Sequence, residues 1–535
     1  MRNMYSVWLA SAALLLSSGF IWTTSAYADQ IQVAEEGGVY RMPAGDHFTA
    51  ADAVDIPQAV PRRSPTPEAE LRRIKGSVAA ASEGDPAPAS SAPQGRALYK
   101  ECVTNASTGF FPSDIHGAAS PTNLVVVTNV NIGIFNKTTC AVVSNVSLKT
   151  FFGSSFTIPA AETLFDPRVV YDRLHARCIV TAESRNSGNT DQFLYVAMST
   201  SSACTSWRRI RFVLSRVSTS SLFCKALASD FYDFPNLGYM GTRIVVTANH
   251  FPTAGGSHGS VLSINKSEMM SGAPVSGRCF RPVSTNTAPA IVSSSSVTQM
   301  FLLSTGSGSG SSLGVRRLNV GADTPNDTLS TLASIPIAAW TAPPDAKQPN
   351  LQELDTLDGR FQSATKQIGS NLFNVHAINS GGVSRARYYK LTTSSVVFSN
   401  TFFTTNCNSN QHIFNPSLDI NSTATGTLVF ITTSRTCPTG PAAGNASHLI
   451  FRGDNANLSG LTFSTVETSA SQYATEVTSS GTTSCNAAAK GACRWGDYSS
   501  TQIDPSNTAR AWGFNQLATG TTSANWNTRA GLSGP

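Results

Sequence analysis

Charged and amide side chains recur at comparable places along the chain, each near the start of a short apolar run. They are Asp166 and Arg168, Asp233, Asp358 and Arg360, Asn415, and Arg494 with Asp497, with Trp495 between the last two. Carboxylates accept hydrogen bonds from sugar hydroxyls, and an arginine fork grips an anionic group. A pair of carboxylates ~5–9 Å apart can also do general acid–base work on a glycosidic bond. The competing reading is that these groups pair with one another or cap strand ends and turns. Tryptophans Trp207, Trp340, Trp495, Trp512 and Trp526 offer rings for a sugar face, although such rings also serve as packing between sheets.

Other chemistry finds little support. There is no His-Glu-x-x-His and no phosphate-binding Gly-x-x-x-x-Gly-Lys. His250 and His258 share one loop, but no carboxylate stands at ligand spacing beside them, so no metal site is read there. The Gly306 to Ser312 run lacks a lysine and reads as a surface loop. No motif calls for a cofactor, and calcium binding is not legible in the residues.

Composition narrows the class. Of 535 residues 41% are hydrophobic and 13% charged, too apolar for wholesale disorder and too weakly charged for a coiled coil. The net charge of +6, from 38 basic and 32 acidic residues, comes with no basic cluster, so nucleic acid is not an expected partner. Residues 1–28 read as a signal peptide: Arg2, an apolar run from Val7 to Ile21, then Ala26-Tyr27-Ala28 ahead of Asp29. No other stretch approaches the ~20 apolar residues of a membrane span, so the mature chain is expected to be secreted or periplasmic without one. Residues 29–95, rich in proline and alanine, read as a disordered linker or pro-segment, with one short helix over 67–81. Ten cysteines without a Cys-x-x-Cys pair predict disulfides. Proximity suggests Cys204 with Cys224, Cys407 with Cys437 and Cys485 with Cys493, the other four being unassigned.

The elements that must position the charged groups are strands. From residue 96 to 535, short runs of Val, Ile, Thr and Phe alternate with Ser, Gly, Asn and Asp clusters. A hairpin recurs: Val169-Val170-Tyr171 into Cys178-Ile179-Val180-Thr181-Ala182, Pro235 to Gly238 into Ile244 to Asn249, Pro416 to Ile420 into Leu428 to Thr432. Weaker copies bring the spacing to about 64 residues, the span of a four-stranded propeller blade. The expected fold is all-β, a seven-bladed β-propeller, with a pair of β-sandwiches as the competitor. Closing the ring would protect sheet edges that an open array exposes.

Four segments, Phe165 to Asp172, Phe231 to Gly238, Leu354 to Arg360 and Arg494 to Ser499, occur in this order. Together they resemble a group of exported bacterial proteins of sialidase-like or BNR-type β-propeller character, over about His116 to Phe514. The resemblance implies the propeller fold. It does not carry the sialidase catalytic groups, because the Ser-x-Asp-x-Gly-x-x-Trp box is not intact. Ser417-Leu418-Asp419-Ile420-Asn421 comes nearest, with Asn in place of Gly and no Trp following. The leading functional reading is a scaffold that binds an extracellular glycan or surface partner at one mouth of a central channel. The alternatives are a carbohydrate-active hydrolase or lyase, and a structural or adhesive surface protein.

Overall fold

Val169 faces Val180, and Tyr171 faces Cys178, across an antiparallel hairpin with its turn at 173–176. In the computed structural model this hairpin opens a four-stranded blade: Thr163–Asp172, Arg177–Arg185, Gln192–Ser199 and Ser206–Arg216, side by side in chain order. The structure describes residues 30–41, 45–46 and 94–534, apart from short segments at 108, 130, 154–155, 253–255, 405–406, 408–409, 424–425, 440–443, 455, 479–480 and 487–490. The expected signal peptide and the helix over 67–81 lie outside the described residues.

The protein is a β-propeller of four-stranded blades. Five such blades stand in sheets of their own, over 116–147, 163–216, 287–341, 412–468, and 500–533 joined by Lys100–Ala106. A further, ten-stranded sheet holds two four-stranded antiparallel ladders, over 231–283 and 365–402. Ala290–Val292 bridges them, running parallel to both, with Ile291 beside Tyr239 and Ala290 beside Thr365. The ring closes where Lys100–Ala106 adds the outer strand to the blade formed by the chain's end, Cys102 opposite Ala530. Two sandwiches would need no such closure.

Most of the core lies between neighbouring blades. Ile179, Leu194 and Phe212 meet Tyr232, Val246 and Leu262 on one side of the 163–216 blade. On its other side Val180, Tyr195 and Trp207 meet Ile132, Phe151 and Phe152. Because both faces are covered, a strand such as Gln192–Ser199 is buried at every position and shows no alternation of apolar and polar residues. Among the described residues the α-helices are two single short ones, Leu148–Gly153 and Lys266–Ser271.

Two expectations are corrected. The extension is not disordered throughout: Gln30–Val33 adds to the outer strand Ser276–Val283, and Glu35–Arg41 adds to Ser206–Arg216. Ion pairs anchor this strap, Glu35 with Arg211 and Arg216 at 2.5 and 2.9 Å, and Glu36 with Arg208 at 2.9 Å. Cys204 does not pair with Cys224. Between them runs the eleven-residue strand Ser206–Arg216, whose rise of ~3.3 Å per residue carries its ends far beyond disulfide reach. Cys204 instead joins Cys178 within its blade, and Cys224 joins Cys279 of the next. The other bonds are Cys102–Cys140, Cys407–Cys437 and Cys485–Cys493, and no cysteine is free. Five disulfides belong to an oxidising compartment.

Candidate functional site

Three inner strands begin with the same irregularity. The ladder slips between Phe165 and Arg168, between Asp233 and Asn236, and between Phe414 and Ser417. In each bulge a proline follows a residue with left-handed backbone: Asp166 (φ 48°), Phe234 (φ 56°) and Asn415 (φ 48°). Proline cannot donate to the ladder, so the strand bends there, and a bulge re-aims the side chains around it.

The bulges bring groups from distant blades together. Arg168 donates from Nε to the Pro235 carbonyl and from Nη1 to that of Gln362, both at 2.8 Å. Gln362 in turn donates to Asn415 Oδ1 and to the Asp497 carbonyl, each at 3.0 Å. Asn415 donates to the Gly496 carbonyl. Asp497 pairs with Arg494, and its backbone N–H donates to Asp114 Oδ1 at 2.7 Å. Arg360 grips Asp358 through Nε and Nη2 at 2.7 and 2.6 Å, and its guanidinium lies 4.4 Å from the centre of the Phe234 ring. The Tyr498 hydroxyl donates to Asp166, and Phe234, Leu357 and Tyr498 pack together among these charges.

Of the residues singled out from the sequence, Asp166, Arg168, Asp233, Asp358, Arg360, Asn415, Arg494 and Asp497 therefore meet in one region. All are buried, Arg494 being the most exposed at 7%. Trp495 is placed elsewhere, packed against Phe414 and Tyr473 with its indole N–H donating to Ser434 Oγ at 3.0 Å. It presents no open ring. Asp114, Glu183, Gln362 and Tyr498 belong to the cluster without having been singled out. Asp114 sits on an irregular loop and Glu183 at the far end of a second strand, places that no apolar pattern marks.

The cluster is rich in acid. Burial pushes Asp166 and Glu183 well above the carboxylate range, and for each the Asp233 carboxylate adds repulsion. Asp233 is pushed up to about 6, by burial and then by Asp497, with Arg360 and Arg185 pulling the other way. Asp114 is pushed up to about 7 by burial and by Asp497. Asp166, Glu183 and Asp233 each present a carboxylate oxygen within 4.8 Å of the others. Further along the same strands a separate cavity is lined by His116, Tyr171, Lys366, Asp419, Thr501 and Gln502. There Asp419 lies 3.5 Å from Lys366 and 3.8 Å from Arg173.

No protein-family model and no curated protein matches the chain. Among solved structures it is similar to a Trypanosoma rangeli sialidase in complex with sialic acid, at 9% identity and a TM-score of 0.36, covering 68% of this chain and 53% of the sialidase. It is also similar to the α-L-arabinofuranosidase Arb93A from Fusarium graminearum, at 8% identity and a TM-score of 0.37, covering 82% of this chain and 98% of that one. A third, the Hadza microbial sialidase Hz136, has 9% identity and a TM-score of 0.35, with coverage of 79% and 65%. The chain thus spans about half the length of the Trypanosoma sialidase it matches. The propeller assignment rests on the strand ladders.

Proposed function

We propose that the protein is an exported, seven-bladed propeller that binds a polar extracellular ligand, a glycan, where the inner strands begin. Counting the two ladders of the ten-stranded sheet as separate blades supports seven, since Ala290–Val292 joins them by only short parallel contacts. One observation carries the ligand reading: carboxylate, guanidinium, amide and phenol groups from separate blades are linked in one hydrogen-bonded network. Such a mixture of fixed acceptors and donors matches the hydroxyls and acidic substituents of a sugar. Disulfides on every cysteine support export.

A second reading, glycoside hydrolysis, is favoured by the close approach of Asp166, Glu183 and Asp233. Retaining enzymes set their two carboxyl groups ~5–5.5 Å apart, which is near this separation. A glycan panel that records both binding and product release tests the two together. Binding that weakens in Asp166→Asn at unchanged melting temperature supports the ligand site, and released product identifies the enzyme. A panel without any binder, or a variant that loses only stability, leaves the structural or adhesive reading in its place.

A further inference from the structure

Glu183 is wholly buried, and among the described residues no N–H or O–H donor reaches either of its carboxylate oxygens. Its polar neighbours are instead the carboxylates of Asp233 and Asp166, which repel it. The local backbone enforces this meeting. Glu183 faces Phe165 in the ladder, the bulge begins at the next residue, and the left-handed turn at Asp166 brings that side chain toward Glu183. The bulge after Asp233 does the same from the neighbouring blade. Two arginines and one hydroxyl also act on the group. Arg185 acts on Glu183 and Asp233, Arg360 on Asp233 while gripping Asp358, and the Tyr498 hydroxyl donates to Asp166. Buried carboxylates in contact need something positive between them, either a shared proton or a cation.

We propose that Asp166, Glu183 and Asp233 form a binding site for a divalent cation, calcium, that ties the 163–216 blade to the 231–283 blade beside the axis. The donors are all carboxylate oxygens, which suit a hard cation rather than zinc or copper. Among hard cations calcium is the larger and the more tolerant of irregular, carboxylate-rich geometry. Calcium–oxygen distances of ~2.3–2.6 Å let opposite ligands stand ~4.6–5.2 Å apart, whereas magnesium at ~2.0–2.1 Å draws them to ~4.0–4.2 Å. The three oxygens all lie within 4.8 Å of one another, no farther apart than opposite ligands of one calcium ion. This goes beyond the glycan reading and does not depend on it, because the cation would order the bulges with or without a sugar.

The test uses the full mature protein, stripped with EDTA and then titrated with calcium chloride. The expected result is a rise in melting temperature, one equivalent of calcium by elemental analysis after dialysis, and terbium emission sensitised by Tyr498 that excess calcium displaces. Glu183→Gln should weaken calcium binding at least tenfold while melting, in EDTA, no lower than the wild type, since it removes a buried charge. Absence of bound calcium and of any thermal response in the wild type would overturn the site, whatever the variant does. A calcium response that survives in Glu183→Gln would also overturn it. The glycan panel, run in both EDTA and calcium, keeps the two readings apart: its failure leaves the cation result standing, and the reverse holds.

Discussion

The guanidinium carbon of Arg168 lies 3.3 Å from the centre of the Tyr498 ring, and the same tyrosine donates its hydroxyl to Asp166, two residues before the arginine. Arg168 is fully buried and also binds carbonyls of Pro235 and Gln362, so one side chain joins four segments of the ring. A stacked guanidinium away from water gains ~2 kcal/mol from the ring, and its charge offsets nearby acids that burial would otherwise penalise.

Tyr498→Phe keeps the ring and removes only the hydroxyl from Asp166, a loss expected at ~1–3 kcal/mol. Arg168→Met removes the stack, both carbonyl contacts and the positive charge, and is expected to cost ~3–5 kcal/mol. The two act on one unit, so the double variant should lose less than the sum. Urea unfolding of all four proteins measures this. Additive losses would mean that the stack and the hydroxyl work independently.

Asp358 and Arg360 form a buried bidentate pair, and this decides what their replacement should do. Arg360→Ala leaves Asp358 without its main partner and Phe234 without the overlying guanidinium, and should destabilise by ~3–5 kcal/mol. Asp358→Asn should cost less, because the amide oxygen can still accept from one arm of the fork. Thermal melts read beside glycan binding separate the roles. If both variants melt normally and lose binding instead, this pair is part of a ligand surface and not a clasp.

Legibility in the sequence followed the distance over which each feature is determined. The hairpin at 169–182 and its copies could be read because strand, turn and strand are adjacent in the chain, and the scarcity of helix among the described residues follows from the same runs. The charged residues at the strand starts could be found because the blades repeat. The bulges that gather them are written in Asp166-Pro167, Phe234-Pro235 and Asn415-Pro416, since proline inside an apolar run marks a break in a ladder. Other features depend on remote geometry. Cys204 lies near Cys224 in the chain, but an intervening strand separates them. Gln30–Arg41 gains its order from arginines about 170 residues later and from two exposed sheet edges, so its own composition could not announce it. Glu183 enters the cluster only through the bulge that faces it.

Gly238 tests the packing of inner strands around the axis. A Cβ placed there would lie 2.4 Å from the Ala290 carbonyl oxygen, a backbone atom held by the parallel contacts of Ala290–Val292. Rotating a side chain cannot relieve that clash. Gly238→Ala should therefore destabilise by ~1–3 kcal/mol through a forced separation of the strands. Hydrogen exchange should show faster exchange at Ile291 and Tyr239 than in the wild type. Wild-type stability and protection in the variant would show that these strands are not in close contact.

Acid should act on the fold through buried histidines. His448 is completely buried with no partner for either ring nitrogen among the described residues, and burial, reinforced by Arg529, pushes its pKa down to about 3. His376 and His412, also buried, are pushed down to about 3 as well. In the unfolded chain each titrates near 6.5. Between those values the unfolded state binds a proton that the native state refuses, so each histidine lowers stability as the pH falls from about 6.5 towards 3, by ~1.4 kcal/mol per pH unit. The buried acids work in the opposite sense. Asp114 is raised, so the native state holds its proton more tightly and is favoured at low pH, an advantage lost as the pH rises towards about 7. The total pH profile mixes the two, and a difference between variants separates them. The stability of His448→Leu minus that of the wild type should be flat above pH 7 and should rise by ~2 kcal/mol between pH 6.5 and 5, read from urea midpoints at fixed ionic strength. A difference that does not change across this range would mean that His448 takes up a proton in the native state as readily as in the unfolded one.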